Sequence, residues 1–332
     1  MPIIKKRAYA RAGLIGNPSD GYFGKTISLI VKNMSATVTL WESPELVLEN
    51  SERDRTHFKN VEDLCDEVSR FGYYSGARLM RATVKRFAGH CASRGVKLPA
   101  RNFTCRYNSN IPRHVGLAGS SAIITAFLRA LCEFYQVEIP KVEQPNLILA
   151  VENKELGISA GLQDRVIQVY EGVVYMDFDR EYMAATGHGR YEPLDPGLLP
   201  PLFIAYRTDL SEGSEVFHNN IRQRFNAGDP QVVEAMKQFA SFAAQARQAL
   251  LERRPFDIGP LMNANFDLRA TIYDISPKNR EMVRIGRENG AWTKFSGSGG
   301  AVIGAYRDEA AYPRIEAAYT EAGFKIFKPR IV

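Results

Sequence analysis

Hydrophobic and polar positions change their rhythm most sharply at residues 111–135. IPRHVGLAGSSA, rich in glycine and serine, runs into the apolar stretch IITAFLRALCEF, whose pattern predicts a helix ending near Tyr135. Upstream, RAYARAGLI (7–15) and TISLIVKNMSATVTL (26–40) alternate with many β-branched residues and predict two strands around the turn-rich GNPSDGYFGK. SPELVLEN predicts a further strand after Pro44. The spacing of Leu64, Val68, Phe71, Leu79, Val84 and Phe87 predicts a helix over 63–93, with Gly72 and Gly76 as points of interruption. FTCRYNS (103–109) reads as a short strand, Pro145 to Lys154 as a helix, and VIQVYEGVVYMDF (166–178) as a hairpin turning at Glu171-Gly172.

EPLDPGLLPP (192–201) concentrates four prolines in ten residues and predicts a domain boundary, dividing the chain into 1–198 and 199–332. Beyond it, PLFIAYRT restarts a strand, 231–252 and 257–272 read as helices, and TKFSGSGGAVIGAY is a glycine turn followed by a strand. EAAYPRIEAAYTEAG is helical, and FKIFKPRIV closes with an edge strand. Strands and helices mix without regular βαβ repetition, which favours an α+β fold over a doubly wound sheet.

Composition narrows this little: 45% hydrophobic and 24% charged residues describe an ordinary globular chain. The formal charge of +6 suits nucleic acid and a phosphorylated or carboxylated small molecule alike. Lys5-Lys6-Arg7, Arg78 to Arg86 and Arg222 to Arg224 read as solvated surface. Cys65, Cys91, Cys105 and Cys132 form no CxxC pair, and the five histidines are dispersed, so a zinc site is not expected. No apolar run reaches membrane-spanning length, and a reduced, cytoplasmic setting is the expectation.

The glycine loop carries candidate chemistry. Gly116 and Gly119 permit tight turning and close approach to a ligand, and Ser120 and Ser121 stand where a helix begins, able to cap it. A helix start has unpaired N–H groups and a positive dipole end, which suit phosphate; an ordinary Ser-capped helix has the same pattern. A second loop, Ser296-Gly297-Ser298-Gly299-Gly300, precedes an apolar strand, and two such loops suggest a nucleotide held between domains. Neither is a Walker A sequence, and no GxGxxG follows a strand. Phosphoryl transfer also needs a divalent ion and a group at the attacking hydroxyl. Glu152, with a serine of the first loop, is a candidate magnesium ligand, and Asp164, at a loop-to-strand junction, a candidate for the acceptor hydroxyl.

The order of RAGLIGNPSD, IPRHVGLAGSSA, Glu152 with Asp164, and SGSGGAV resembles the GHMP kinase superfamily over residues 11–304. GNPSDGYFGKTIS, NKELGISAGLQDRVIQVYEGVVYMDF and MNANFDLR are most similar to its glucuronokinase branch. The resemblance implies an N-terminal domain like that of ribosomal protein S5 and a C-terminal ferredoxin-like α/β sandwich. It implies an ATP- and magnesium-dependent sugar 1-kinase acting on D-glucuronate, a small-molecule enzyme with no nucleic-acid or membrane partner. A sibling kinase of a neutral or phosphorylated sugar, such as a heptose phosphate, and a non-catalytic sensor or RNA-binding protein are the alternatives.

Position by position, the resemblance makes Asp164 and Arg11 catalytic. It assigns the nucleotide to Pro112, Gly116, Leu117, Ala118, Gly119, Ser120, Ser121 and Ala122, and to Gly297, Ser298, Gly299 and Gly300. Ser121 and Glu152 would hold magnesium, with Ser120 as the other possible hydroxyl. Asn17, Ser19 and Asp20 would meet the sugar. A uronic acid needs a cation, and Lys25, Arg113, Arg165 and Arg269 are its candidates.

Overall fold

Strands as far as residue 194 belong to one sheet and those from 202 onward to another. The computed structural model describes residues 2–49, 76–208 and 214–332; Cys65, His57 and the first part of the helix expected over 63–93 lie outside these. The first part of the chain holds β1 (Ile4–Ile15), a 3-10 turn (Ser19–Tyr22), β2 (Lys25–Ser43), β3 (Val47–Leu48), α1 (Gly76–Ser93), β4 (Asn102–Ser109) and α2 (Gly119–Tyr135). There follow α3 (Gln144–Ala150), which runs into a π-helical turn (Val151–Glu155), then α4 (Gln163–Tyr170), β5 (Val173–Asp177), α5 (Arg180–Thr186) and β6 (Arg190–Leu194). The second part holds β7 (Leu202–Tyr206), α6 (Ser214–Asn226), α7 (Pro230–Leu251), α8 (Ile258–Ile272) and α9 (Pro277–Glu288). It ends with β8 (Trp292–Phe295), β9 (Ala301–Ala305), α10 (Tyr312–Glu321) and β10 (Lys325–Phe327).

The 19-residue β2 organises the first sheet: β1 runs antiparallel along one edge, while β4 and β5 share the other. β1 alternates only at its outer end; from Ala10 to Ile15 every residue is buried, because helices cover one face and the second half of the chain the other. The second sheet is antiparallel in the order β10-β7-β9-β8. One apolar core passes through both sheets, joining Ala10, Leu14 and Ile27 to Ala243, Ile258 and Ile303. No helix among the described residues is long and apolar enough to cross a membrane.

Two elements differ from the sequence reading. VIQVY is the body of α4 rather than the first strand of a hairpin. Its β-branched residues still face inward, where Val166 and Ile167 join Ile30, Val174 and Met176, but the helix wins because its first turn is satisfied from outside. The Asp20 carboxylate accepts the Gln163 N–H at 3.2 Å. Asp164 therefore stands in the first turn of a helix, not before a strand. The strand expected in SPELVLEN shrinks to the two residues of β3, paired parallel to β4. At Gly76, where the described part of α1 starts, a side chain would collide with the Tyr107 ring.

Candidate active site

A cleft of about 1500 Å³, counting its open mouth, lies between the N-terminal end of α2, the 3-10 turn after β1, the start of α4 and the glycine turn before β9. The approach to α2 bends through left-handed conformations at His114 (φ 56°), Gly116 (φ 66°) and Ala118 (φ 60°). Ala118 immediately precedes the helix, which has no side-chain cap, so the expected capping by serine does not occur. The two hydroxyls do other work. Ser120 Oγ donates to Glu152 Oε1 at 2.7 Å, whereas Ser121 is fully buried and turns its hydroxyl back on the Ala118 carbonyl at 3.3 Å. Consecutive helical residues lie about 100° apart, so only one of the pair can face Glu152, and it is Ser120.

Pro112, Gly116, Leu117, Ala118, Gly119 and Ser120 line the cleft, and Ala122 lies buried behind it with Ser121. From the other side come Gly297 and Ser298, while Gly299 and Gly300 anchor the turn; the Gly300 N–H donates to Asn279 Oδ1 at 3.1 Å. The two loops touch through backbone: a Cβ on Gly297 would stand 2.3 Å from the Gly116 carbonyl oxygen.

Arg11 ties this junction to the chemistry. It projects from the buried half of β1, donates from Nε to Asp164 Oδ1 at 2.5 Å, and donates from Nη1 to the carbonyls of Gly116 (2.5 Å) and Ser296 (3.1 Å). Asp164 Oδ2 also lies 3.3 Å from Arg165 Nη1. Arg165 donates through both Nε and Nη2 to Glu152 Oε2, leaving Oε1 to Ser120. Glu152 reaches this position from the π-helical turn, whose extra residue per turn rotates it into the cleft. Burial opposes the Arg165 charge, but Glu152 and Asp164 outweigh it and hold the guanidinium above its ordinary pKa.

At the opposite end, Asn17 and Asp20 line the cleft. Burial, together with the Asp164 charge, raises the Asp20 carboxyl from 3.8 to about 6. Two of the expected sugar contacts do not reach the cleft. The 3-10 turn points Ser19 inward, where its hydroxyl accepts from the Lys25 N–H, and Lys25 pairs with Asp177 at 3.0 Å. Of the expected carboxylate cations, Arg113, Arg165 and Arg269 line the cleft, but Arg165 is held by Glu152. Arg269 donates to the carbonyls of Gly297 (2.9 Å) and Ser298 (3.2 Å).

Two residues went unread in the sequence. Lys294 is fully buried and donates to Gly13 O (2.9 Å), Asn17 Oδ1 (2.6 Å) and Phe295 O (2.7 Å), tying β8 to the turn after β1. Burial, then the charges of Arg269 and Arg11, push its pKa well below the ordinary lysine value. Arg222, expected on solvated surface, reaches into the cleft from α6. A lysine inside the apolar-flanked WTKF was the only available hint of the first; an arginine among the polar residues of α6 offered none of the second.

Comparison with known proteins gives a consistent match. Residues 78–172 match the family model of the GHMP kinases N terminal domain, and residues 246–325 that of the GHMP kinases C terminal domain. The chain is 44% identical to glucuronokinase 1 of Arabidopsis thaliana, an alignment covering 90% of this chain and 84% of the relative. It is 23% identical to D-glycero-alpha-D-manno-heptose 7-phosphate kinase of Campylobacter jejuni, over 67% of each chain. In fold it is similar to mevalonate kinase of Methanococcus jannaschii, with a TM-score of 0.73 at 19% identity, covering 100% of this chain and 98% of the other.

Proposed function

This chain belongs to the GHMP kinase family, and we propose that it is a cytoplasmic, ATP-dependent sugar 1-kinase whose acceptor is D-glucuronate. One observation carries the reading: the Arg11–Asp164 pair and the Ser120–Glu152 pair converge on one cleft beside the open end of α2. The relative at 44% identity over 90% of the chain supports the choice of sugar.

Asp164 accepts a hydrogen bond from the anomeric hydroxyl and aims its oxygen at the γ-phosphorus. An O–P bond forms there as the bond to the ADP leaving oxygen breaks. A carboxylate gripped by Arg11 and flanked by Arg165 is suited to orienting that hydroxyl and accepting its proton late in transfer. Arg11 and the N–H groups at the start of α2 offset charge on the moving phosphoryl group. Ser120 Oγ and Glu152 Oε1 are adjacent hard oxygens, the donor type magnesium prefers, and are the residues that would hold the ion. When bound, it would neutralise charge on the phosphate oxygens.

The test is Asp164→Asn. Turnover with D-glucuronate should fall roughly 10²–10⁴-fold, while ATP affinity, measured by calorimetry, should stay within about twofold because Asp164 faces the acceptor. Wild-type turnover in this variant would defeat the mechanism.

A further inference from the structure

Among the described residues five arginines line the cleft, Arg11, Arg113, Arg165, Arg222 and Arg269, against three carboxylates, Asp20, Glu152 and Asp164. Arg11 and Arg165 are already matched by Asp164 and Glu152. Arg269 is buried, and its two Nη groups are committed to the carbonyls of the glycine turn. Arg113 stands on the loop that leads into α2, at the nucleotide end.

Arg222 is built differently. Its guanidinium carbon stacks 4.3 Å from the centre of the Tyr22 ring, and one Nη donates to the Gly21 carbonyl. Gly21 makes room for it, since a Cβ there would lie 2.9 Å from Arg222 Nη2. No carboxylate of the described residues forms an ion pair with it, and the half-buried side chain lines the cleft. Stacking on an aromatic face fixes the plane of a guanidinium while leaving its donor edge available. That edge lies beside the turn carrying Asn17 and Asp20, at the acceptor end. A planar anion is the ligand it fits.

We propose that Arg222 reads the carboxylate of the sugar acid and so sets the preference for a uronate over the corresponding neutral sugar. The inference rests on the uronate reading above. The side chain comes from the second part of the chain and clasps a substrate whose reacting end is held by the first. Because the carboxylate takes no part in bond making, Arg222 contributes binding and leaves the phosphoryl transfer step to Asp164 and Arg11.

The experiment compares the full-length wild type with Arg222→Met and Arg222→Lys, using ATP with D-glucuronate or with D-glucose, which lacks the carboxylate. Removing a charge-assisted contact should raise KM for glucuronate roughly 10–100-fold. KM for ATP, the melting temperature and turnover of glucose should stay at wild-type values, and the lysine variant should recover part of the loss. Arg222→Met with an unchanged KM for glucuronate overturns the inference. So does a variant that loses ATP affinity and melting temperature together, since that marks a structural role. Failure of the parent reading looks different: the wild type itself would then prefer the neutral sugar, before any substitution is made.

Discussion

Asp20 carries a proton tightly in the folded protein, because burial penalises its charge and Asp164 repels it. The unfolded carboxyl titrates near 3.8 and the folded one near 6, so between these values the native state binds the extra proton. Stability from this group is therefore full below about pH 4 and falls as pH rises through 6, a loss on the order of 3 kcal/mol at neutrality. Asp20→Asn abolishes the titration, although it loses one of the two hydrogen bonds from Gln163. Thermal melts of both proteins from pH 4 to 8 should show the variant gaining relative to wild type as pH rises; a constant difference would refute the burial argument. Legibility at this scale followed distance along the chain. Arg11, Glu152 and Asp164 stand in recognisable segments, and all three line the one cleft. Ser19 and Lys25 misled because they share a segment with Asn17 and Asp20, while the turn at 19–22 aims them elsewhere. Arg222 was unreadable because its meaning comes from Gly21, 201 positions away.

Among the elements, the two glycine loops are one construction. Their backbones touch at Gly116 and Gly297, with Arg11 bonded to Gly116 O and Ser296 O across the join. A methyl group on Gly297 meets a rigid carbonyl, so relief requires the loops to separate. Gly297→Ala should raise KM for ATP about tenfold or more and lower the melting temperature. Gly89→Ala is the control: within α1 a Cβ at that position meets nothing within 4 Å, so helix propensity should stabilise the protein by about 0.5–1 kcal/mol. An ATP dependence untouched in the Gly297 variant would show that the loops act separately. The strands β1 and β2 and the helix α2 were plain in the hydrophobic rhythm, because each buries a long regular face. The identity of α4 was not, since β-branched composition points to a strand and the deciding partner, Asp20, lies 143 positions from Gln163. Nor was the π-helical turn, whose single inserted residue leaves no periodic trace over so short a helix.

For the whole molecule, the last residues close a circuit back to the first sheet. Where the register of β1 and β2 slips between Tyr9 and Ala10, the displaced part of β2 receives the tail: Lys32 N–H donates to Arg330 O, Asn33 Nδ2 to Lys328 O, and Arg330 N–H to Asn33 Oδ1. Ile331 adds partly buried apolar contact. Removing residues 328–332 should lower the melting temperature by a few degrees while leaving KM for ATP and sugar unchanged at 25 °C, because none of these residues lines the cleft. An equal melting temperature would mean the tail merely rests there. The strands divide between two sheets on either side of the proline-rich stretch, while the shared core left no mark in the sequence, because Ala243 and Ile258 look like ordinary helix-face residues until β1 is beneath them. Arg222 gives this division a further meaning. The proposed machinery of transfer sits on β1, α2, the π-helical turn and α4, closed by the glycine turn before β9, while the contact proposed to choose among acceptors arrives separately, on α6. Taste and craft are thus written in separate passages of the same sequence, so a descendant could exchange one sugar for another by altering α6 and inherit its chemistry intact.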